Sequence, residues 1–321
     1  MSQALNSILA IGKKFVRGIL GVCAVILDRV DRNPEIPPGE INKFVLDGFE
    51  LLVNSPSLIP RFYSKHPLYS RQIQRLVLTV QKKYPDVRLI DVGANIGDTV
   101  ALVKSVSQIP VVCIEGEAYC FNLLQKNLQQ FKDVCAYNIF LGERTEMMPV
   151  SLEGQLWNAT IVPNGSSGLT EVQLQFASLD DFIASNLLHA HYRILKIDVE
   201  GYDPKVIRGG TNYLKSISPI LYFEYNRQAM DRISEDGLSL LCWLEELGYD
   251  AVLFYDSHGK FMLSSNLGDR KLLQQLHEYV DGSISCISYF DLIVFHRSDN
   301  DLATTFINSE EKFQRDWIAP S

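Results

Sequence analysis

None of the six cysteines, at positions 23, 113, 120, 135, 242 and 286, stands in a C-x-x-C pair. That excludes the common zinc and dithiol redox frameworks. Cysteines scattered through apolar runs are expected as buried free thiols in a reducing compartment. Basic residues are also too few for a positive field, since the formal net charge is -8. Without a domain-wide positive field to neutralise phosphates no nucleic-acid partner is expected, although a local basic patch stays compatible with the composition. Long apolar runs are missing from the N-terminal stretch as well, where Gly18 to Leu27 is a run of only ten. Ten residues cannot span a bilayer, and no small-residue cleavage site precedes Asp28 and Arg29, which argues against a signal peptide. Residues 6–30 carry Ile8, Ile11, Phe15 and Ile19 at near-helical spacing. They are read as a helix packed on its own core or on a second copy in a homodimer, or else lying in a membrane interface. The expected location is cytoplasmic, with any membrane contact peripheral, and the sequons at Asn158 and Asn164 are chance matches.

Apolar residues make up 46% of the 321, enough for one sizeable α/β core with an appendage. Breaks at Asn33-Pro-Glu-Ile-Pro-Pro-Gly39, Pro56, Pro60 and Pro67 mark residues 1–85 as a helical appendage, with a helix over 71–83. From 86 to 297 strands and helices alternate, which predicts a parallel sheet with helices on both faces. Seven strands are expected, at 87–92, 110–115, 133–139, 193–198, 219–224, 250–255 and 289–295. Residues 146–177 read as an inserted antiparallel ribbon, Ser178 as the cap of a short helix, and 298–321 as a polar, loosely held tail.

The stretch Asp91-Val-Gly-Ala-Asn-Ile-Gly97 follows a strand and opens a helix. Gly93 and Gly97 permit positive φ or close approach of a ligand, and Asn95 is among the few other residues that tolerate the left-handed region. The N–H groups of the next helix then face the same crevice as a nucleotide-like ligand. The spacing Gly93-x-x-x-Gly97 is not the dinucleotide fingerprint G-x-G-x-x-G, which weighs against a nicotinamide-dependent oxidoreductase. Glu115 ends the next strand 18 residues after Gly97, where an acid accepts hydrogen bonds from ribose hydroxyls. An adenosine ligand without pyrophosphate, S-adenosylmethionine, suits both observations.

In open α/β sheets ligands sit beyond the carboxyl ends of the strands. Asp91, Glu115, Asp198 and Glu224 occupy those ends here. In Lys196-Ile-Asp-Val-Glu-Gly201, alternation puts Lys196 and Asp198 on one side of the strand and leaves Glu200 in the turn. A carboxylate there would hold an acceptor hydroxyl in line or take its proton, while Lys196 either lowers the acceptor pKa or, the simpler reading, pairs with Glu200. Weaker candidates are a metal pair at His189 and His191, a Mg²⁺ held by Asp198 and Glu224, and a base at His258; no metal is assigned.

Taken together, Asp91-Val-Gly-Ala-Asn-Ile-Gly-Asp98, Ile114-Glu-Gly-Glu117, Gly142-Glu143, Ser178-Leu-Asp-Asp181, Leu195-Lys-Ile-Asp-Val-Glu-Gly201 and Phe290-Asp-Leu-Ile-Val294 resemble the FkbM family of S-adenosylmethionine-dependent methyltransferases. The resemblance spans roughly residues 86 to 297. It implies a class I, Rossmann-like methyltransferase fold with an antiparallel last strand, and methylation of a hydroxyl on a saccharide, glycolipid or secondary metabolite. By the same resemblance Asp91, Gly93 and Gly97 line the cofactor, Glu115 binds its ribose, and Asp198 and Glu200 face the acceptor. Gly116 departs from the family pattern, in which a proline often follows the ribose-binding acid. A methyltransferase fold retained as a silent scaffold is the remaining alternative.

Overall fold

The computed structural model describes residues 40–54, 57–153, 160–162, 171–186, 188, 191–280 and 287–318. The readings at residues 6–30, Asn158, Asn164, His189, Cys23 and Cys286 lie outside them. The chain divides into two compact units, Met1–Asn42 with Asn54–Ser57, and Lys43–Val53 with Leu58–Ser321. In the first, the described residues include a turn in which Ser57 N donates to Asn54 O at 2.9 Å. The second carries everything that follows.

The described residues open not on helix but on strands β1 (Ile41–Leu46) and β2 (Phe49–Asn54), a two-stranded sheet turning through Asp47-Gly48 at φ 49° and 91°. Of the expected appendage over residues 1–85, the described helices are α1 (Ile59–Lys65) and α2 (Gln72–Lys83). The alternating part then runs β3 (Arg88–Val92), α3 (Asp98–Val106), β4 (Val111–Ile114), α4 (Ala118–Leu128) and β5 (Val134–Tyr137). The inserted ribbon consists of β6 (Phe140–Gly142), β7 (Glu146–Glu153), β8 (Thr160–Val162) and β9 (Glu171–Ser178), a small sheet of its own in the order β6-β9-β7-β8. Helix α5 (Leu179–Ser185) follows, capped as its sequence predicts by Ser178, whose side chain accepts from Asp181 N.

The second half continues with β10 (Tyr192–Ile197), α6 (Asp203–Arg208), α7 (Thr211–Ile217), β11 (Ile220–Tyr225), α8 (Arg227–Arg232) and α9 (Gly237–Glu246). Then come β12 (Tyr249–Asp256), β13 (Phe261–Asn266), α10 (Arg270–Tyr279), β14 (Phe290–His296) and α11 (Asn300–Ile318). The main sheet has eight strands rather than seven, in the order β13-β12-β14-β11-β10-β3-β4-β5. β13 is the addition, an antiparallel edge strand whose Met262 to Ser265 are only half-buried, so it lacks the apolar run that marks its neighbours. β14 lies antiparallel between β11 and β12 and the strands from β11 to β5 are parallel, the arrangement that the resemblance implies.

Helices cover both faces. One face buries Ile90, Leu195, Phe223 and Leu292 against α5 to α10; the other buries Leu89, Ile194, Ile293 and Phe295 against α2, α3 and α11. The expected loose tail is instead the 19-residue α11. It seats Leu302, Ala303 and Phe306 in the second core and Glu310, fully buried, on Arg75 (2.6 and 2.8 Å) and Tyr255 (2.9 Å).

A candidate active site at the carboxyl ends of the strands

β3 and β4 lead into crossovers on one side of the sheet and β10 and β11 on the other, so the order reverses between β3 and β10. Such a switch point leaves a crevice beyond the strand ends. The glycine turn lies there with the conformations its residues favour: Gly93 has φ 76°, Asn95 φ 47° and Gly97, which caps α3, φ 87°. Gly93 is also required by contact, because a Cβ at that position would lie 1.9 Å from the main-chain oxygen of Asp198. The two segments singled out from the sequence are thus packed backbone to backbone.

Glu115 directly follows β4 and turns back onto the same loop, accepting from Asn95 N at 2.9 Å and from Glu117 N at 2.8 Å. It is half-buried, and desolvation pushes its carboxyl up to about 7 despite those two donors. Next to it, a Cβ on Gly116 would lie 2.2 Å from the Phe140 ring. Proline is therefore excluded at this position by the packing of β6, which accounts for the departure from the family pattern.

Alternation places Asp91 of β3, Lys196 of β10, Tyr222 of β11 and Asp291 of β14 on one sheet face, with Asp91 paired in register to Lys196 and Lys196 to Tyr222. Lys196 does not pair with Glu200 as its spacing suggests. Its ammonium sits 3.1 Å from Asp91 Oδ1 and 3.5 Å from Asp198 Oδ2. The Lys196 ammonium is the charge partner of Asp91, which is fully buried. Burial raises the Asp91 pKa against the pull of Lys196. Burial likewise disfavours the Lys196 ammonium, but Asp91, Asp198 and Asp98 together outweigh it and hold the lysine well above its ordinary range.

Glu200 stands in the left-handed region at φ 53°, followed by Gly201 at φ 89°, while Lys196 is paired with Asp91 and Asp198 instead. Strained backbone of this kind in a non-glycine residue persists where the surroundings enforce it. Here a Cβ on Gly201 would come within 2.4 Å of Ala229 Cβ. Glu200 is exposed, but desolvation by its surroundings and then the Asp198 charge push its carboxyl up to about 7. Glu224 is buried, receives Asn226 Nδ2 at 3.0 Å, and is raised further by burial and by the charges of Glu200, Asp198, Asp203 and Asp291.

Several lining residues escaped the sequence reading. Tyr63 of α1 donates to Asp98 Oδ2 at 2.8 Å, placing the 58–71 segment over the start of α3. Tyr69 and Tyr289 both feel the charges of Asp198 and Asp291, so they flank the same space. Asp291 had a legible signal, being the one carboxylate in the apolar strand Phe-Asp-Leu-Ile-Val-Phe. Elsewhere, His258 stacks on His66 with ring centroids 4.0 Å apart and His191 is exposed. Among the described residues, no group of three or more His, Cys, Asp or Glu has the arrangement to hold a metal ion. Cys113 and Cys120 are buried free thiols, while Cys135 is exposed. Among the described residues no helix is long and apolar enough to cross a membrane.

Against known proteins, residues 91–251 match the model of the methyltransferase FkbM domain. No protein of curated function matches significantly in sequence. A structure of methyltransferase FkbM from Methylobacillus flagellatus KT is similar at 16% identity and TM-score 0.36, over 61% of this chain and 55% of that one. The chain thus spans little more than half the length of that protein. The METTL16 MTase domain is similar at 11% identity and TM-score 0.39, over 75% of this chain and 69% of that one. The plantazolicin methyltransferase BpumL in complex with SAH is similar at 12% identity and TM-score 0.36, over 75% and 89%.

Proposed function

The chain belongs to the FkbM family of methyltransferases, and on that premise we propose that it transfers the methyl group of S-adenosylmethionine to a hydroxyl of a saccharide, glycolipid or secondary metabolite. The observation that carries this reading is the contact of Gly93 with the Asp198 carbonyl, which sets the nucleotide turn directly beside the carboxylate turn. In this reading Asp91, Gly93, Asn95 and Gly97 form the floor of the cofactor site. Glu115, already fixed by two backbone donors, offers its remaining lone pairs to the ribose hydroxyls. Asp198 and Glu200 face the acceptor, and Lys196 fixes Asp198 as it neutralises the buried Asp91. Bound there, the sulfonium supplies an electrophilic methyl; the protein's part is to hold an oxygen in line with it.

An acceptor region walled by carboxylates and the hydroxyls of Tyr69 and Tyr289 suits a neutral polyol better than a carboxylate or phosphate, which those charges would repel. Calorimetry tests the cofactor: S-adenosylhomocysteine should bind, and folded protein that gives no heat would refute the reading. Transfer of a tritiated methyl from S-adenosylmethionine to a panel of methyl hexopyranosides and glycolipids tests the acceptor. The label should survive mild alkali, as an ether does; alkali-labile label would point to a carboxylate acceptor instead.

A further inference from the structure

Asp291 lies on β14, beyond the matched residues 91–251, yet alternation turns it to the sheet face that carries Asp91, Lys196 and Tyr222. Its setting is built with some precision. Gln72, the first residue of α2 and fully buried, donates its Nε2 to Tyr222 Oη at 2.6 Å and to Asp291 Oδ2 at 2.9 Å. Tyr222 Oη donates to the same Oδ2 at 3.3 Å. Both bonds fall on one oxygen, and among the described residues no donor reaches Oδ1. Aiming the amide this way leaves Gln72 Oε1 buried without a partner, so folding alone does not account for the arrangement.

On the reading of an O-methyltransferase given above, we propose that Asp291 receives the proton of the acceptor hydroxyl. An oxygen lone pair of the acceptor attacks the sulfonium methyl, the C–O bond forms as the C–S bond breaks, and sulfur keeps the electron pair as the thioether of S-adenosylhomocysteine. The O–H proton passes to Asp291 Oδ1. Asp198, whose carboxylate engages Lys196, then positions the hydroxyl rather than deprotonating it.

The groups facing Asp291 are Lys196 and Asp198 from β10 and its turn, Tyr222 and Glu224 from β11, Gln72 from α2, Tyr255 from β12, and Tyr69 and Tyr289. Burial, then the Asp198 charge, push its carboxyl up to about 7, while Lys196 and the bonds from Tyr222 and Gln72 pull it down. A carboxylate so placed takes a proton near neutrality, where an ordinary aspartate is a poor base.

With an acceptor found in the saccharide panel, wild-type kcat should fall below a midpoint of about 7 as Asp291 protonates. Asp291→Asn should lower kcat about 10²-fold or more and lose that limb, with S-adenosylhomocysteine affinity unchanged within a few-fold. Gln72→Leu removes a donor that lowers the Asp291 pKa, so the limb should move to higher pH, which a purely structural role would not cause. An Asp291→Asn enzyme that binds S-adenosylhomocysteine and keeps kcat within a few-fold overturns the proposal, as does an unmoved limb in Gln72→Leu if the asparagine variant does not fold. Carbon-13 titration of labelled aspartates in the S-adenosylhomocysteine complex needs no acceptor. A resonance titrating near 7 that moves up in Gln72→Leu is expected; its absence overturns the assignment even if the acceptor panel fails for other reasons.

Discussion

Replacing Gly93 by alanine tests the contact on which the site is built. A side chain at φ 76° costs about 1–2 kcal/mol, because L residues crowd the following carbonyl in the left-handed region. The new Cβ would also stand 1.9 Å from Asp198 O and 2.9 Å from Asp198 C, atoms of the main chain that no rotamer can withdraw. Forcing the two strand ends apart adds about 1–3 kcal/mol, the usual cost of overpacking. Alanine recovers about 0.4–1 kcal/mol by restricting the unfolded chain. The net loss is roughly 1–5 kcal/mol. Gly48 supplies the control, since it has φ 91° but nothing within 4 Å of its Cβ, so Gly48→Ala carries the backbone cost alone. Urea denaturation followed by circular dichroism should show Gly93→Ala clearly the less stable of the two. Calorimetry should show that it alone weakens S-adenosylhomocysteine. If the two variants lie within about 0.5 kcal/mol, the spread of ordinary surface substitutions, the packing argument is wrong.

Lys196→Met strands the fully buried Asp91 without a cation and should cost about 3–5 kcal/mol in unfolding free energy, with part regained in the Lys196→Met, Asp91→Asn double variant. Glu310→Ala removes the carboxylate shared by Arg75 and Tyr255 and should cost about 3–5 kcal/mol, with proteolysis first cutting within residues 300–318; uncut protein would refute the docking role. Glu115, Glu200 and Asp291 all have folded-state pKa values raised to about 7, so the native state binds their protons more tightly than the unfolded chain does. The stability they add is complete below ordinary carboxylate values and is lost as pH rises through about 7. These carboxylates should lower the melting temperature from pH 5.5 to 8 against the opposite trend of His66, His277 and His296, whose pKa values burial lowers, so Glu200→Gln should lessen the loss at high pH relative to wild type; an identical profile would contradict it.

The candidate site was legible where a single residue type answers a local demand. Gly93, Asn95 and Gly97 adopt the positive φ that their types allow, and alternation correctly placed Lys196 beside Asp198. What spacing could not convey was the pairing of Lys196 with Asp91 rather than with Glu200, and the Phe140 ring that forbids a side chain at Gly116. In the fold, the hairpin of β1 and β2 had its signal in Asp47-Gly48 between alternating Phe44, Leu46, Phe49, Leu51 and Val53, but the proline breaks around it favoured a loop and helix reading. The last helix was hidden by polarity. Its buried set, Leu302, Ala303, Phe306 and Glu310, is one narrow stripe that includes a charge, and the partner of that charge, Arg75, stands more than 200 residues earlier.

That separation bears on how the chain reaches its native state. Ile73, Leu76, Val77 and Val80 of α2 share a core with Leu302, Ala303 and Phe306 of α11, so one face of the sheet cannot be sealed until residue 306 has been synthesised. Closing so long a loop adds little entropy beyond that of a shorter one, but it makes completion late and leaves apolar surface open in the nascent chain. Arg75, awaiting Glu310 throughout, keeps a charge on that open surface, which opposes its pairing with another unfinished copy before the native partner arrives.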